Sequence, residues 1–205
     1  NTMGYAFAFF TSLFVVALVT PVISKLAIRF QIIDFPNEPR KTHQRATPLL
    51  GGIAIFVGLM IALWYVALKT PHLIDGSIRI NHLLGFSLGG LILAIGGYLD
   101  DRYKLSPAWQ IIFSTIAALI VVGSGIGTRF VTNPFGGTFS LVQWERVLFW
   151  WQGIGYRITL PADAFTFVWL MVVMYTTKLL DGLDGLVSGI TTIGAFMIFL
   201  LATAT

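Results

Sequence analysis

Cysteine is absent from this chain and charged residues are scarce, and both shortages exclude classes of function. Without cysteine the chain has no disulfides, no thiolate zinc site and no cysteine nucleophile. Charged residues make up 11% of the sequence, whereas a soluble domain carries roughly 25%. The 3 histidines form no metal-ligand pair and no Ser-His-Asp order, so zinc and serine-hydrolase chemistry are not supported.

Apolar sequence is what the chain has in abundance. Hydrophobic residues make up 56% of its 205 residues, and the mean hydropathy is +0.83. A bilayer core of ~30 Å needs about 20 apolar residues per helical crossing, and six stretches approach that length. We therefore predict an all-α, polytopic transmembrane helical bundle, with residues 1–205 forming a single domain. The six stretches lie at about 5–28, 48–68, 82–99, 108–126, 165–180 and 186–204.

The positions of the Lys and Arg residues predict the orientation of these helices. Of the 13, eight lie in the odd-numbered loops with their helix margins and five in the even-numbered loops. Because cations in short loops mark the cytoplasmic side, we expect the odd loops to face the cytoplasm and the N-terminus to lie outside. The first stretch lacks a preceding cationic region, which indicates a retained helix and not a cleaved signal. No basic stripe occurs, so we expect anionic lipids and phosphates as partners, and no nucleic acid.

The longest even loop, about Gly127 to Ala164, contains signals for β-structure. The run Asn133–Gly137 is typical of a turn, and Tyr156–Leu160 has the composition of a strand. We predict a small external β-hairpin or interfacial segment here. Three tryptophans should anchor this loop at the headgroup level, and ligand binding is the less favoured interpretation. They are Trp144, Trp150 and Trp151.

Four of the 9 acidic residues form two tight clusters at the predicted cytoplasmic ends of helices. Asp100 and Asp101 follow the third apolar stretch, and Asp181 and Asp184 follow the fifth. A carboxylate inside a bilayer costs on the order of 3 kcal/mol, so such residues are usually functional. A magnesium ion, held by one or two carboxylates and substrate phosphates, would remove the repulsion between adjacent aspartates. The residue types fit a phosphoryl-transfer site, with solvated helix ends as the structural alternative.

The first odd loop gathers four basic side chains within six residues. Such a set suits the binding of a diphosphate or a lipid phosphate. The alternative is a topological signal that contacts anionic lipid. Gly51 and Gly52, at the start of the next helix, could admit a phosphate to free backbone N–H groups, or could serve helix packing. The four basic residues are Arg40, Lys41, His43 and Arg45.

At these positions the chain resembles the polyprenyl-phosphate N-acetylhexosamine-1-phosphate transferases, a family that includes phospho-MurNAc-pentapeptide translocase. Three motifs match in order and in alternate-loop spacing, over nearly the whole chain. The first motif is more similar to the UDP-N-acetylglucosamine branch than to the MurNAc-pentapeptide branch. The motifs are Arg40-Lys41-x-His43 with Pro48-x-x-Gly51-Gly52, Gly97-x-x-Asp100-Asp101 with Leu105-Ser106-Pro107, and Asp181-Gly-Leu-Asp184-Gly-Leu.

The resemblance implies a reaction, a cofactor and partners. A sugar 1-phosphate, foremost GlcNAc-1-phosphate, would pass from a UDP-sugar to undecaprenyl phosphate, releasing UMP and initiating cell-envelope polysaccharide synthesis. Magnesium, or manganese in its place, would be the cofactor, and the site would face the cytoplasm at the cell membrane. Asp100 and Asp101 would be catalytic and metal-binding, and the four basic residues would steady the phosphates. Asp181, Asp184 and Lys178 would contribute to substrate binding. A homodimer is left open as the oligomeric state.

The chain departs from the family pattern in two ways. Lys178 and Tyr175 stand where the family usually has Asn, and Lys178 could contact phosphate or neutralise Asp181. The family's later loops, with a further metal-binding Asp and a His-rich nucleotide-sugar motif, have no counterpart before Thr205, so we expect an N-terminal fragment that is inactive alone. Phospho-MurNAc-pentapeptide transfer, cation conduction and a non-catalytic lipid-binding role stay open as alternatives. Cation conduction is disfavoured because the carboxylates collect at one face.

Overall fold

The computed structural model describes residues 2–34, 46–69, 78–133, 136–142, 145–151, 154–182 and 185–204. These residues form six helices and three two-stranded antiparallel sheets. The chain divides into two compact units, which are Met3–Ser124 and Gly125–Thr205. The predominantly helical fold predicted from hydropathy is confirmed.

The first unit contains the first four helices, and each coincides with a predicted apolar stretch. Their apolar runs are continuous, and polar or Pro and Gly positions mark their ends, as at Pro107, which occupies a first helical position where its missing N–H is not needed. The helices are α1 (Thr2–Arg29), α2 (Gly51–Lys69), α3 (Ile80–Tyr103) and α4 (Pro107–Gly123).

Glycines on α3 allow its backbone to approach α4 closely. A methyl group added at Gly89 would lie 2.7 Å from Val121 Cγ2 and 3.1 Å from the carbonyl oxygen of Ala117. At Gly96 the same methyl group would lie 2.8 Å from Phe113. Small residues at helix interfaces are typical of membrane proteins, because lipid is as apolar as the side chains and close van der Waals contact must hold the helices together.

The second unit combines two helices with the two hairpins of the long even loop. The turn predicted at Asn133–Gly137 is confirmed, since it connects the first two of these strands and the N–H of Asn133 donates to the carbonyl oxygen of Gly137 at 3.0 Å. The second hairpin contains the strand predicted near Tyr156. The other strand of this hairpin was not predicted from the sequence. The elements are β3 (Phe130–Thr132), β4 (Thr138–Ser140), β5 (Glu145–Trp151), β6 (Ile154–Thr159), α5 (Leu160–Leu180) and α6 (Leu186–Ala204).

Helix α5 begins at Leu160, five residues before the apolar stretch predicted to start at 165. Its first turn contains Pro161 and Asp163, which favour a helix start although they lower the local hydropathy. The carboxylate of Asp163 accepts a hydrogen bond from the N–H of Thr159 at 2.8 Å, which gives this backbone donor at the end of β6 a partner. Trp144 lies outside the described residues, and the membrane depth of Trp150 and Trp151 stays a prediction.

The apolar surface of the helices supports a membrane environment. Large side chains such as Phe14 and Leu68 are 66% and 74% exposed, which would be unfavourable in water over so many positions. Within the described part of the chain, four helical segments are long and apolar enough to cross a bilayer: Ala6–Arg29, Gly51–Lys69, Ile80–Tyr103 and Leu160–Leu180. The apolar segments Pro107–Gly123 and Leu186–Leu201 are shorter.

Candidate active site

Asp100 and Asp101 lie in the last turn of α3. Carboxylates at this end face the negative pole of their own helix, which is unfavourable by about 0.3–1 kcal/mol each. Lys104 ends the helix in the left-handed conformation, with φ 50°, and its N–H donates to the carbonyl oxygen of Asp100 at 2.8 Å. The chain then turns directly into α4 at Pro107.

The side chain of Asp100 is directed to the first turns of α4. Nε2 of Gln110 donates to both carboxylate oxygens of Asp100, at 2.8 and 2.9 Å, and to the carbonyl oxygen of Leu105 at 3.3 Å. Asp100 and Gln110 are both partly buried. The amide donor and the positive pole at the start of α4 together offset the unfavourable position of this carboxylate on its own helix.

Asp101 is directed to a different helix. Its Oδ2 accepts a hydrogen bond from the backbone N–H of Leu50 at 3.3 Å, and the carbonyl oxygen of Leu50 accepts from the N–H of Ile53 at the start of α2. Asp101 therefore acts on the N-terminus of α2 as the acidic residue of a capping box does, but from another helix. The two aspartates are neighbours in sequence, yet successive helical side chains do not face each other.

Leu50 adopts a backbone conformation that leucine rarely takes, with φ 74°. This left-handed conformation costs roughly 1–2 kcal/mol for a residue with a Cβ atom. The side chain of Leu50 is 8% exposed and packs with Ala27 and Ile32, which are 0% and 1% exposed. Burial of this side chain contributes about 2 kcal/mol, so it can offset the strain and hold the amide against Asp101.

The basic loop, which connects α1 to α2 and contains the four basic residues predicted to bind phosphate, is held at both ends by hydrogen bonds within the first unit. The strand β1 (Ile33–Asp34) pairs with β2 (Thr47–Pro48) in antiparallel register. Nη1 of Arg102, on α3, donates to the carbonyl oxygen of Phe30 at 2.6 Å. The loop therefore starts and ends next to the chain segment that contacts Asp101. The four basic residues predicted in this loop lie outside the described residues: Arg40, Lys41, His43 and Arg45.

Packing among the described residues does not explain the glycine pair at the start of α2. A methyl group added at Gly51 or Gly52 would meet nothing within 4 Å among the residues that the structure describes. Both glycines are exposed. This open space is compatible with access of an anion to the first N–H groups of α2, one of the two roles considered for these glycines.

The second acidic cluster lies in the connection between α5 and α6. Lys178 is exposed in the last turn of α5, and Asp181 follows the helix as an exposed residue. The described residues of this connection, Asp181, Gly182 and Gly185, are not helical, and Gly185 has φ +81°. Asp184 itself lies outside the described residues.

Each carboxylate of α3 has the donor chemistry for one ligand of a hard divalent cation whose other ligands are water and phosphate oxygens. Among the described residues no group of three or more His, Asp or Glu side chains could hold a metal ion. Magnesium does not need one, because it is usually bound by one or two carboxylates together with waters and substrate phosphates. Carboxylate oxygens have more than one lone pair, so the hydrogen bonds from Gln110 and Leu50 do not exhaust Asp100 and Asp101 as ligands.

Two contributors to this site were missed in the sequence. Gln110 and the amide of Leu50 hold the two aspartates, and neither belongs to a charged cluster. A polar side chain soon after Leu105-Ser106-Pro107, at the start of an otherwise apolar helix, was a signal for Gln110. Nothing in the sequence signals the role of the Leu50 amide, since every residue except proline has a backbone N–H.

The known proteins to which the chain is similar have names that describe the same type of transferase. The chain is 29% identical over 195 residues to the "Probable undecaprenyl-phosphate N-acetylglucosaminyl 1-phosphate transferase" of Bacillus subtilis (strain 168), covering 95% of this chain and 47% of that protein. It is 30% identical over 171 residues to the "Undecaprenyl-phosphate alpha-N-acetylglucosaminyl 1-phosphate transferase" of Yersinia pestis, covering 83% and 40%. It is 28% identical over 189 residues to the "Decaprenyl-phosphate N-acetylglucosaminephosphotransferase" of Mycolicibacterium smegmatis, covering 92% and 42%.

The chain thus spans less than half the length of these curated relatives. No solved structure matches it significantly. The family model described as "Glycosyl transferase family 4" matches residues 83–205, more than half of the chain, and this region includes both aspartate clusters. The chain therefore belongs to glycosyl transferase family 4.

Proposed function

We propose that the full-length protein transfers GlcNAc-1-phosphate from UDP-GlcNAc to a polyprenyl phosphate, with undecaprenyl phosphate as the carrier, and releases UMP. The observation that carries this proposal is the family match over both aspartate clusters, among relatives whose names state this type of transfer. In the reaction, an oxygen of the lipid phosphate forms a bond to the phosphorus that bears the sugar. The bond from that phosphorus to the oxygen of UMP breaks, so UMP leaves with its electron pair.

Asp100 and Asp101 would hold the cation and the lipid phosphate together at the end of α3. A bound magnesium ion would neutralise charge on two anionic reactants that otherwise repel each other. The hydrogen bonds from Gln110 and Leu50 keep the two carboxylates in separate, defined orientations, which suits positioning of reacting groups. The location at the end of a helix that can cross a membrane suits a lipid substrate whose phosphate lies at the bilayer surface.

The remaining predicted residues would bind the nucleotide sugar and the phosphates. Asp181, Asp184 and Lys178 would contribute to UDP-sugar binding, and the loop with Arg40, Lys41, His43 and Arg45 would steady phosphate groups through charge-assisted hydrogen bonds. The distribution of cations supports a cytoplasmic site in the cell membrane.

The direct test is a transfer assay with the purified full-length protein, radiolabelled UDP-sugars and undecaprenyl phosphate. We expect transfer from UDP-GlcNAc to exceed transfer from UDP-glucose and UDP-GalNAc, and we expect EDTA to abolish it and added Mg²⁺ to restore it. Release of UMP should match the amount of sugar transferred. Equal transfer with EDTA, or no preference for UDP-GlcNAc, would contradict the proposal.

Substitution of the aspartates tests the site itself. Asp100→Asn and Asp101→Asn should each lower kcat by about 100-fold or more, because the amide keeps the shape but removes the charge that a cation requires. The matched control is Asp163→Asn, since Asp163 accepts a hydrogen bond from Thr159 in the second unit and has no proposed catalytic role. Near-normal rates in both α3 variants would remove this carboxylate pair from the mechanism.

A further inference from the structure

The contact between Gln110 and Asp100 joins one donor to both oxygens of a carboxylate at the end of α3. One nitrogen, Nε2 of Gln110, reaches both oxygens of the carboxylate at 2.8 and 2.9 Å and also the carbonyl oxygen of Leu105 at 3.3 Å. The oxygen of the Gln110 amide cannot donate a hydrogen bond, so its nitrogen must face these three acceptors, and this assigns the orientation of the amide. The Leu105 contact holds the donor, and the donor restrains both oxygens of the carboxylate.

The neutrality of Gln110 matters for what Asp100 can do. A lysine or arginine in this position would cancel the charge of the carboxylate and would compete with a cation for it. An amide restrains the carboxylate and leaves its negative charge intact. Such a partner orients a metal ligand and leaves the formal charge of that ligand in place.

We propose that Gln110 is a positioning residue, which orients Asp100 for a divalent cation and thereby for phosphoryl transfer. This inference rests on the proposed function for its catalytic part, whereas its cation-binding part can be tested without turnover. Gln110 does not touch the substrate in this proposal. It acts only through Asp100, so its effect must disappear when Asp100 can no longer serve as a charged ligand.

The first experiment measures Mn²⁺ binding to the full-length protein, alone and with UMP, by the loss of the electron paramagnetic resonance signal of free Mn²⁺. Gln110→Leu keeps the size of the side chain and removes the donor, and Gln110→Asn keeps the amide but is too short to reach both acceptors. We expect the dissociation constant for Mn²⁺ to rise about 10-fold in both variants. The control is Ser114→Ala, one turn further along α4, where the hydroxyl donates only to the carbonyl oxygen of Gln110 at 3.1 Å.

The second experiment is a double-mutant cycle with Asp100→Asn. We expect Gln110→Leu to weaken Mn²⁺ binding less than 2-fold in the Asp100→Asn background, because the two residues act as one unit. A merely structural role would instead lower the thermal unfolding midpoint in detergent and would act equally in both backgrounds. If Gln110→Leu fails to fold, the same comparison is made with Gln110→Asn.

The outcomes separate this inference from the proposed function. Unchanged Mn²⁺ affinity in both Gln110 variants, equal effects with and without Asp100, or no saturable Mn²⁺ binding by the wild type would each overturn the positioning role. A wild type that transfers GlcNAc-1-phosphate while the Gln110 variants bind Mn²⁺ normally would reject the inference alone. A wild type whose Mn²⁺ affinity depends on Gln110 but which transfers no sugar phosphate would support the positioning role and reject the proposed reaction.

Discussion

Leu50 combines backbone strain, burial and a hydrogen bond to Asp101 in one residue. Its φ of 74° is unfavourable for any residue with a Cβ atom, yet its side chain is buried and its N–H meets the carboxylate. Strained residues that the surrounding structure holds in place occur frequently at functional sites. The strain here lies beside the carboxylate pair, at the point where the basic loop joins α2.

Two substitutions separate the strain of Leu50 from its burial. Leu50→Ala loses the buried side chain, at a cost of about 2–5 kcal/mol, and retains the unfavourable φ. Leu50→Gly also loses the side chain but relieves the backbone, so we expect it to be about 1 kcal/mol more stable than Leu50→Ala. The measurement is the thermal unfolding midpoint of the full-length protein in detergent. An alanine variant with the higher midpoint would show that the left-handed conformation is not required.

Among the helices, α3 and α4 form the framework on which the site depends. The short connection from Lys104 to Pro107 places the last turn of α3 beside the first turns of α4, so that Asp100 can reach Gln110. Glycines on α3 maintain the close approach of the two helices along their length. A disturbance of this interface should therefore be felt in stability and in the geometry of Asp100.

Two glycines of α3 provide a matched test of the interface. In Gly89→Ala the new methyl group would lie 3.1 Å from the backbone carbonyl oxygen of Ala117, which cannot move aside as a side chain can, so we expect a loss of about 1–3 kcal/mol. In Gly97→Ala the methyl group meets nothing within 4 Å, and the higher helix propensity of alanine should leave stability unchanged or increased. Thermal unfolding of both variants in detergent makes the comparison, and equal midpoints would argue against close α3–α4 packing.

For the whole molecule, the scarcity of charge and the exposed apolar surface agree on a membrane protein. Four helical segments are long and apolar enough to cross a bilayer, and charged groups concentrate near helix ends and in connections. The proposed reaction requires the two aspartate clusters to face the same aqueous compartment, because both reactants are charged. The excess of Lys and Arg in the odd-numbered loops supports the cytoplasm as that compartment.

Cysteine labelling tests this orientation directly, since these 205 residues contain no cysteine. Single cysteines are placed in the full-length protein, with any cysteine outside these residues replaced, and intact cells are treated with a membrane-impermeant maleimide. We expect positions 129 and 140, in place of Arg129 and Ser140, to be labelled from outside. Positions 103 and 182, in place of Tyr103 and Gly182, should react only after permeabilisation. Labelling of 103 and 182 from opposite sides would contradict a shared active site.

Much of the fold could be predicted because the hydropathy of a segment indicates whether it lies in lipid or in water. All six apolar stretches coincide with helices, and the turn at Asn133–Gly137 forms because glycines there adopt positive φ. The strands β1 and β2 were not predicted, since a two-residue pair has no periodicity to detect. The start of α5 was placed too late, because a helix start with Pro161 and Asp163 is polar although the helix is not.

The sequence by itself determined the membrane environment, the positions of the helices and the residues that carry charge. Composition and the length of apolar runs are sufficient for this because they are properties of single segments. Asp100 and Asp101 could be singled out in this way, and separately they lie in a motif that resembles one of a transferase family. Only the tertiary structure decided that these neighbours serve different helices, one held by the Gln110 amide and the other by the Leu50 backbone. Hydrogen bonds between segments depend on how helices pack, and packing brings together residues that no local pattern connects.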